Sequence, residues 1–237
     1  MVLMLAGIVA AQQSSSAPDV NAIIARMTSA RQENKAHAKA YSVKRDYELL
    51  DKQSTPKAQV IATITVLSAD QKQFYIESST GGMGEKVLRD ILTKETEPAS
   101  QAERKDVTHD NYDFQLVGQE ALDGHNCFVV ALLPRREDRD LIKGKMWIDA
   151  STYNIRRIEG TPGKSPSWWI RDLHIVMNFT SVDGMWLHTF THAVADVRFK
   201  GKYVMESRDL EYRPAEETAA TRTHRNPGIL AGAALSR

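Results

Sequence analysis

Hydrophobic and polar positions alternate along most of this chain, first with the period of a helix and then, repeatedly, with that of a strand. Val20, Ile23, Ile24, Met27 and Ala30 recur at the three- and four-residue spacing of one helical face, which predicts a helix from Asp19 to about Ala38. Pro18 and Asp19 suit its first turn, where a missing N–H costs nothing and a carboxylate meets the positive end of the dipole. Arg26, Arg31, Glu33 and Lys35 form a polar face that reads as solvated surface. From Tyr41 the period falls to two: Tyr41, Val43, Tyr47 and Leu49 share a parity with Arg45. Ser54-Thr55-Pro56 turns the chain into a second strand, where Val60, Ala62, Ile64 and Val66 alternate with Ile61, Thr63, Thr65 and Leu67. Gln73 to Glu77, with Phe74 and Ile76, gives a third. Short turns join neighbours more readily than crossovers do, so these three strands are expected to form an antiparallel meander.

Gly81-Gly82-Met83-Gly84 interrupts the alternation, and Val87, Leu88, Ile91 and Leu92 then mark one stripe of a short helix. The glycines match neither a Walker loop nor GxGxxG, so they read as a hinge before that helix. Residues 94 to 110 are polar and read as a loop. Tyr112 to Glu120, carrying Phe114 and Leu116, resumes the strands, and Asp123-Gly124 signals a hairpin turn into Cys127 to Leu133. That run is apolar at both parities, so burial on both faces is expected. After the charge run 134–140 comes GKMWIDASTYNIRRIEG, Gly144 to Gly160, which reads as a hairpin. Met146, Ile148 and Ala150 take one side of its first arm, with Lys145, Trp147 and Asp149 on the other. A long strand follows Trp168-Trp169, with Trp169, Leu173, Ile175, Met177 and Phe179 on one parity. Asp183-Gly184 turns it into Trp186, His188, Phe190, His192 and Val194. The apolar parity then shifts to Val197 and Phe199, which predicts a bulge. Gly201 opens the last strand, through Tyr203, Met205, Leu210 and Tyr212, and Pro214 ends it.

The pattern amounts to about ten long strands, an N-terminal helix and a helix inserted after the third strand. A ten-residue strand spans about 33 Å, long for a compact sandwich and suited to a curved half-barrel.

A strand reading Gly-Lys-x-Trp-Ile-Asp, a short turn, and Tyr-x-Ile-x-Arg-Ile-Glu resembles the hairpin of LolA-like outer-membrane lipoprotein-sorting proteins and their RseB/MucB-like relatives. The order of elements over residues 19–213 fits the same pattern. The resemblance implies an α+β fold: an incomplete antiparallel β-barrel with the two helices covering its concave face. It further implies a cavity for acyl chains, no catalysis, no cofactor, and partners such as an inner-membrane transporter or an envelope regulatory protein.

Composition changes this picture little. Thirty-one basic residues against 30 acidic ones leave no electrostatic footprint for nucleic acid. MVLMLAGIVAA is uncharged and apolar or small, with Val9-Ala10-Ala11 suited to cleavage, so residues 1–11 read as a signal peptide despite lacking a basic start. Residues 12–18 read as a linker and 214–237 as a disordered tail. A periplasmic or secreted location follows from that leader. The lone Cys127 cannot form an internal disulfide and reads as a small buried hydrophobe.

Candidate chemistry is sparse. His188 and His192 share a parity, but four residues along a strand separate them by about 13 Å, too far for one ion. Ser165 and Ser167 sit in no GxSxG elbow, and Asp138 and Asp140 lie within a charge run. The expected site is therefore an apolar cavity. Its lining is Val43, Tyr47, Ile64, Val66, Phe74, Ile76, Phe114, Leu116, Met146, Ile148, Leu173, Ile175, Met177 and Phe190, with Trp168 and Trp169 at its rim. Three roles fit such a protein: a lipid or lipoprotein carrier, an envelope sensor that binds a partner protein, or a scaffold whose core is filled by its own side chains.

Overall fold

The computed structural model describes residues 18–68, 71–97 and 103–215. The readings of residues 1–11 as a leader, of 12–17 as a linker and of the tail beyond Ala215 lie outside the described residues.

Helix α1, Val20–Ala36, begins where the Asp19 side chain accepts a hydrogen bond from the Asn21 amide at 3.1 Å, which satisfies one of the free N–H groups of the first turn. Strands β1 (Tyr41–Asp51), β2 (Pro56–Val66) and β3 (Lys72–Ser79) form the expected meander, and helix α2, Gly82–Glu95, follows. Gly81 and Gly82 enter that helix at positive φ, 77° and 88°, which only glycine adopts without steric cost. A short 3₁₀ turn, Glu103–Lys105, lies in the stretch read as loop. Seven more strands complete the chain: β4 (Tyr112–Leu122), β5 (His125–Pro134), β6 (Ile142–Asp149), β7 (Ile155–Pro162), β8 (Ile170–Val182), β9 (Met185–Val197) and β10 (Gly201–Pro214).

All ten strands belong to one antiparallel sheet, in the order β3-β2-β1-β10-β9-β8-β7-β6-β5-β4. Two meanders are joined where β1 pairs with β10, from Tyr41 opposite Pro214 to Asp51 opposite Tyr203. β3 and β4 are the free edges, so the sheet stays open as a half-barrel rather than closing. The two Asp-Gly turns have both residues at positive φ, as two-residue hairpins require: Asp123 and Gly124 at 50° and 80°, Asp183 and Gly184 at 51° and 77°.

Both helices pack on one face of the sheet. Ile23, Ile24 and Met27 of α1 are buried against Phe128, Val130, Leu132, Met146, Ile148, Ile155 and Ile158. Each of these three helix side chains contributes about 1.5–3 kcal/mol through burial. Leu88 and Leu92 of α2 are buried on Val43, Tyr47, Ala58, Val60, Ala62 and Ile64. The polar face of α1 is exposed at Arg26, Glu33 and Lys35, and beside it two polar side chains tie the helix to the sheet. Asn34 accepts from the Trp186 amide at 2.7 Å and donates to its carbonyl at 2.9 Å, while Arg26 donates to the Tyr153 hydroxyl.

One local reading is corrected. The parity shift at Val197 to Phe199 is a tight turn with Phe199 at φ 65°, not a bulge. The irregularity in β9 lies earlier, where Asn178 faces Phe190 but Phe179 faces His188. β5 is buried on both faces, as its apolar run predicts: Phe128, Val130 and Leu132 lie under α1, and Cys127 and Val129 pack with Trp147 and Leu122 on the other side.

The two arms of the hairpin approach closely at a pair of glycines. Gly144 and Gly160 face each other across β6 and β7. A Cβ on Gly160 would lie 2.3 Å from the Lys143 carbonyl oxygen, and one on Gly144 would lie 2.0 Å from that of Glu159. The backbones approach too closely there for any side chain.

Candidate functional site

The helix-covered face has three parts. Under α2 lie Val43, Tyr47, Ile64, Val66 and Ile76, with Phe74 on the same face of the edge strand and exposed. On the α1 side lie Phe114, Leu116, Met146, Ile148 and Met177. Leu173 and Ile175 continue the Met177 parity towards the start of β8, where they face Ala195 and Ala193 and are only half-buried. One expected lining residue is elsewhere. Phe190 pairs with Asn178 and Arg208, and the step in β9 turns it to the opposite face of the sheet. The same step separates His188 from His192. His188 faces α2, while His192 meets Glu206 at 3.1 Å on the other side.

Between the two apolar beds sits a polar group that the pattern of alternation did not single out as a site. Arg45, buried on β1, bonds Glu95 at the end of α2 and Asp209 of β10, the latter at 2.5 Å, and donates to the His188 carbonyl at 2.8 Å. The Tyr47 hydroxyl donates to the second Glu95 oxygen. His188 completes the cluster, with Nδ1 at 3.4 Å from Glu95 and Nε2 at 2.8 Å from the Thr191 hydroxyl. A charge buried beside apolar side chains persists only when paired and hydrogen-bonded, and Arg45 meets that condition on three sides.

The electrostatics follow from that enclosure. Burial alone would raise the Glu95 carboxyl, but bonding from His188 and the charge of Arg45 outweigh it and bring it down to about 2. For Asp209 burial wins over Arg45, and its carboxyl is raised. Burial pushes the Tyr41 phenol up to about 12 and raises that of Tyr47 as well.

Glu95, His188 and Thr191 repeat the carboxylate–imidazole–hydroxyl order of a hydrolytic triad. Two features speak against that chemistry. Glu95 is held by Arg45 and Tyr47 rather than reserved for the imidazole. Thr191 lies in mid-strand between Met177 and Ser207, where the backbone belongs to the sheet ladders and offers no oxyanion hole. Among the described residues no group of three or more His, Cys, Asp or Glu side chains could hold a metal ion. What the cluster can do is fasten the end of α2 to β1, β9 and β10.

A signal for this cluster was present in the sequence. Arg45 shares its parity with four apolar residues, and Glu95 follows Ile91 and Leu92 at helical spacing on the buried stripe. Either charge alone reads as surface; the pair is visible only once α2 is folded back on β1.

The expected rim residues Trp168 and Trp169 are exposed in the loop between β7 and β8. The Trp169 carbonyl accepts the Arg198 amide at 2.8 Å, which places this loop beside the β9–β10 turn.

Fold and site together define an open α+β half-barrel with an apolar inner face, two helices on that face and a buried ionic fastening between them. A family model described as "Uncharacterized protein" matches residues 100–219, half of the chain, and the chain belongs to that family. No curated protein matches the sequence. Among solved structures, the chain is similar to a DUF1329 family protein from Desulfovibrio piger, with 11% identity over 82% of this chain and 92% of that one and a TM-score of 0.43. It is also similar to a putative outer membrane lipoprotein-sorting protein domain from Vibrio parahaemolyticus, with 13% identity over 78% and 91% and a TM-score of 0.43. A LolA superfamily protein from Nitrosomonas europaea matches with 13% identity over 84% and 94% and a TM-score of 0.39. No helix of the described residues is long and apolar enough to cross a membrane.

Proposed function

We propose that this protein is a non-catalytic carrier of a lipid or lipoprotein acyl chain in the cell envelope. The observation that carries the reading is the half-buried apolar strip on the helix-covered face. Leu173, Ile175, Tyr203 and Met205 are neither sealed like the side chains beneath α1 nor turned to the convex side. An acyl chain laid along this strip gains about 0.8 kcal/mol for each CH₂ removed from water. Opening of the fastening at Glu95 would let α2 swing and lengthen the strip. An inner-membrane transporter or an envelope regulatory protein is the kind of partner that such a carrier or sensor would meet.

An environment-sensitive acyl probe tests this. Ile148 is fully buried beneath α1, so Ile148→Ala should cost a core-sized 2–5 kcal/mol, roughly, and change binding little. Ile175→Ala should cost much less stability and weaken probe binding. If the wild-type protein fails to bind the probe and Ile175→Ala loses core-sized stability, the strip is part of a self-filled core and the carrier reading falls.

A further inference from the structure

The end of the half-barrel at the β7–β8 loop and the β9–β10 turn exposes large aromatic side chains that a soluble surface does not require. Trp168 is 77% exposed, Trp169 51% and Phe199 97%. Isolated exposed apolar residues are ordinary, but three aromatic ones brought together across the Trp169–Arg198 hydrogen bond form a patch. Cations outnumber acids around them. Segments 163–171 and 198–202 contain Lys164, Arg171, Arg198, Lys200 and Lys202 and no acidic residue. Asp196 at the strand end neutralises one of these cations, bonding Arg171 at 2.8 Å, and Asp172 flanks the loop. Lys164, Trp168, Arg171 and Arg198 also border an open depression of about 600 Å³.

We infer that this end is a docking surface for an anionic phospholipid bilayer. Indole and phenyl rings settle at the level of lipid headgroups, and basic side chains beside them meet lipid phosphates. Loop and turn lie at the same end of adjacent strands, so the aromatic groups can reach one membrane plane together. An acidic protein would satisfy the cations but would leave three exposed rings without purpose.

The inference stands apart from the carrier reading, because docking needs no open strip. The test is co-sedimentation of the full chain with vesicles of phosphatidylcholine alone and of phosphatidylcholine and phosphatidylglycerol in equal parts. Wild type should bind the anionic vesicles at low salt, bind the neutral ones weakly, and release as salt rises. Lys200→Ala and Lys202→Ala should each weaken binding roughly fivefold. The combined Trp168→Ser, Trp169→Ser and Phe199→Ser variant should lose it while keeping the wild-type melting temperature, since all three side chains are exposed. Every variant retains the apolar first eleven residues, so their contribution cancels. Failure of wild type to bind anionic vesicles, or equal binding by the aromatic variant, overturns the inference. So does self-association of wild type that the aromatic variant abolishes, for then a second copy covers the patch. Vesicle binding without acyl-probe uptake would keep this surface and reject the carrier; uptake without vesicle binding would do the reverse.

Discussion

Glu95, the last residue of α2, accepts a hydrogen bond from the guanidinium of Arg45 in the middle of β1. A carboxylate at the C-terminus of a helix faces the negative end of its dipole and is unfavourable there unless a cation offsets it. Arg45 supplies that cation from the sheet, so the same contact that neutralises the helix end also fixes the position of α2. It divides the helix-covered face into the bed beneath α1 and the bed beneath α2.

Removing the cation strands two carboxylates. Arg45→Met should lower unfolding free energy by about 3 kcal/mol, the lower end of the range for breaking a buried pair, because Glu95 keeps partial contact with water. Denaturant melts would give the magnitude. Hydrogen exchange should show protection lost first in α2, with α1 little changed. Equal loss in both helices would mean that Arg45 supports the whole sheet rather than fastening one helix.

Acid should act on the same contact. The Glu95 carboxyl sits at about 2 in the fold against an ordinary 4.5. A depressed carboxylate contributes its full stabilisation above the ordinary value and loses it as pH falls through the folded value. The melting temperature should therefore fall between about pH 4.5 and 2, and Glu95→Gln should fall less steeply over that window. Other depressed acids are common to both proteins, so the difference between the two curves isolates Glu95. Asp209, raised by burial, works in the opposite sense and blunts the slope. Parallel curves for wild type and Glu95→Gln would exclude the fastening as an acid-sensitive element.

The hairpin turn depends on Asp149. Its side chain accepts from the Ser151 amide at 2.9 Å, the Thr152 amide at 3.0 Å and Arg156 Nε at 2.7 Å. Burial would raise its carboxyl, but these bonds, together with the one from the Ser151 hydroxyl, hold it well below the ordinary carboxylate range. Asp149→Ala should cost about 2–4 kcal/mol, since several donors lose a charged acceptor together. Asp149→Asn should recover part of that, because it keeps an acceptor but not the charge. Thermal unfolding of the three proteins would rank them.

Gly160→Ala should destabilise by about 1–3 kcal/mol or fail to fold, since its Cβ would meet the Lys143 carbonyl. Gly118→Ala is the control. A Cβ there meets nothing within 4 Å, so the change should be neutral or slightly stabilising. A loss at Gly118 as large as that at Gly160 would show that close approach of the two hairpin backbones is not what sets the cost.

By itself the sequence determined the elements. Side-chain direction repeats every two residues on a strand and every 3.6 on a helix, so Val43, Tyr47, Ile64 and Ile76, like Ile23, Ile24 and Met27, could be assigned to buried faces from local pattern alone. The Asp-Gly turns were legible for a similar reason: their backbone conformation is a property of two adjacent residues. The tertiary structure decided what depends on distant partners. The pairing of β1 with β10 brings Arg45 to Asp209, 164 residues away, and no local period carries that information. A single irregular step in β9 turned Phe190 and His192 away from His188, because one extra residue reverses every side chain beyond it. Arg45 and Glu95 each look like surface charges in isolation, and only the folding of α2 onto the sheet removes both from water and makes each the condition for burying the other.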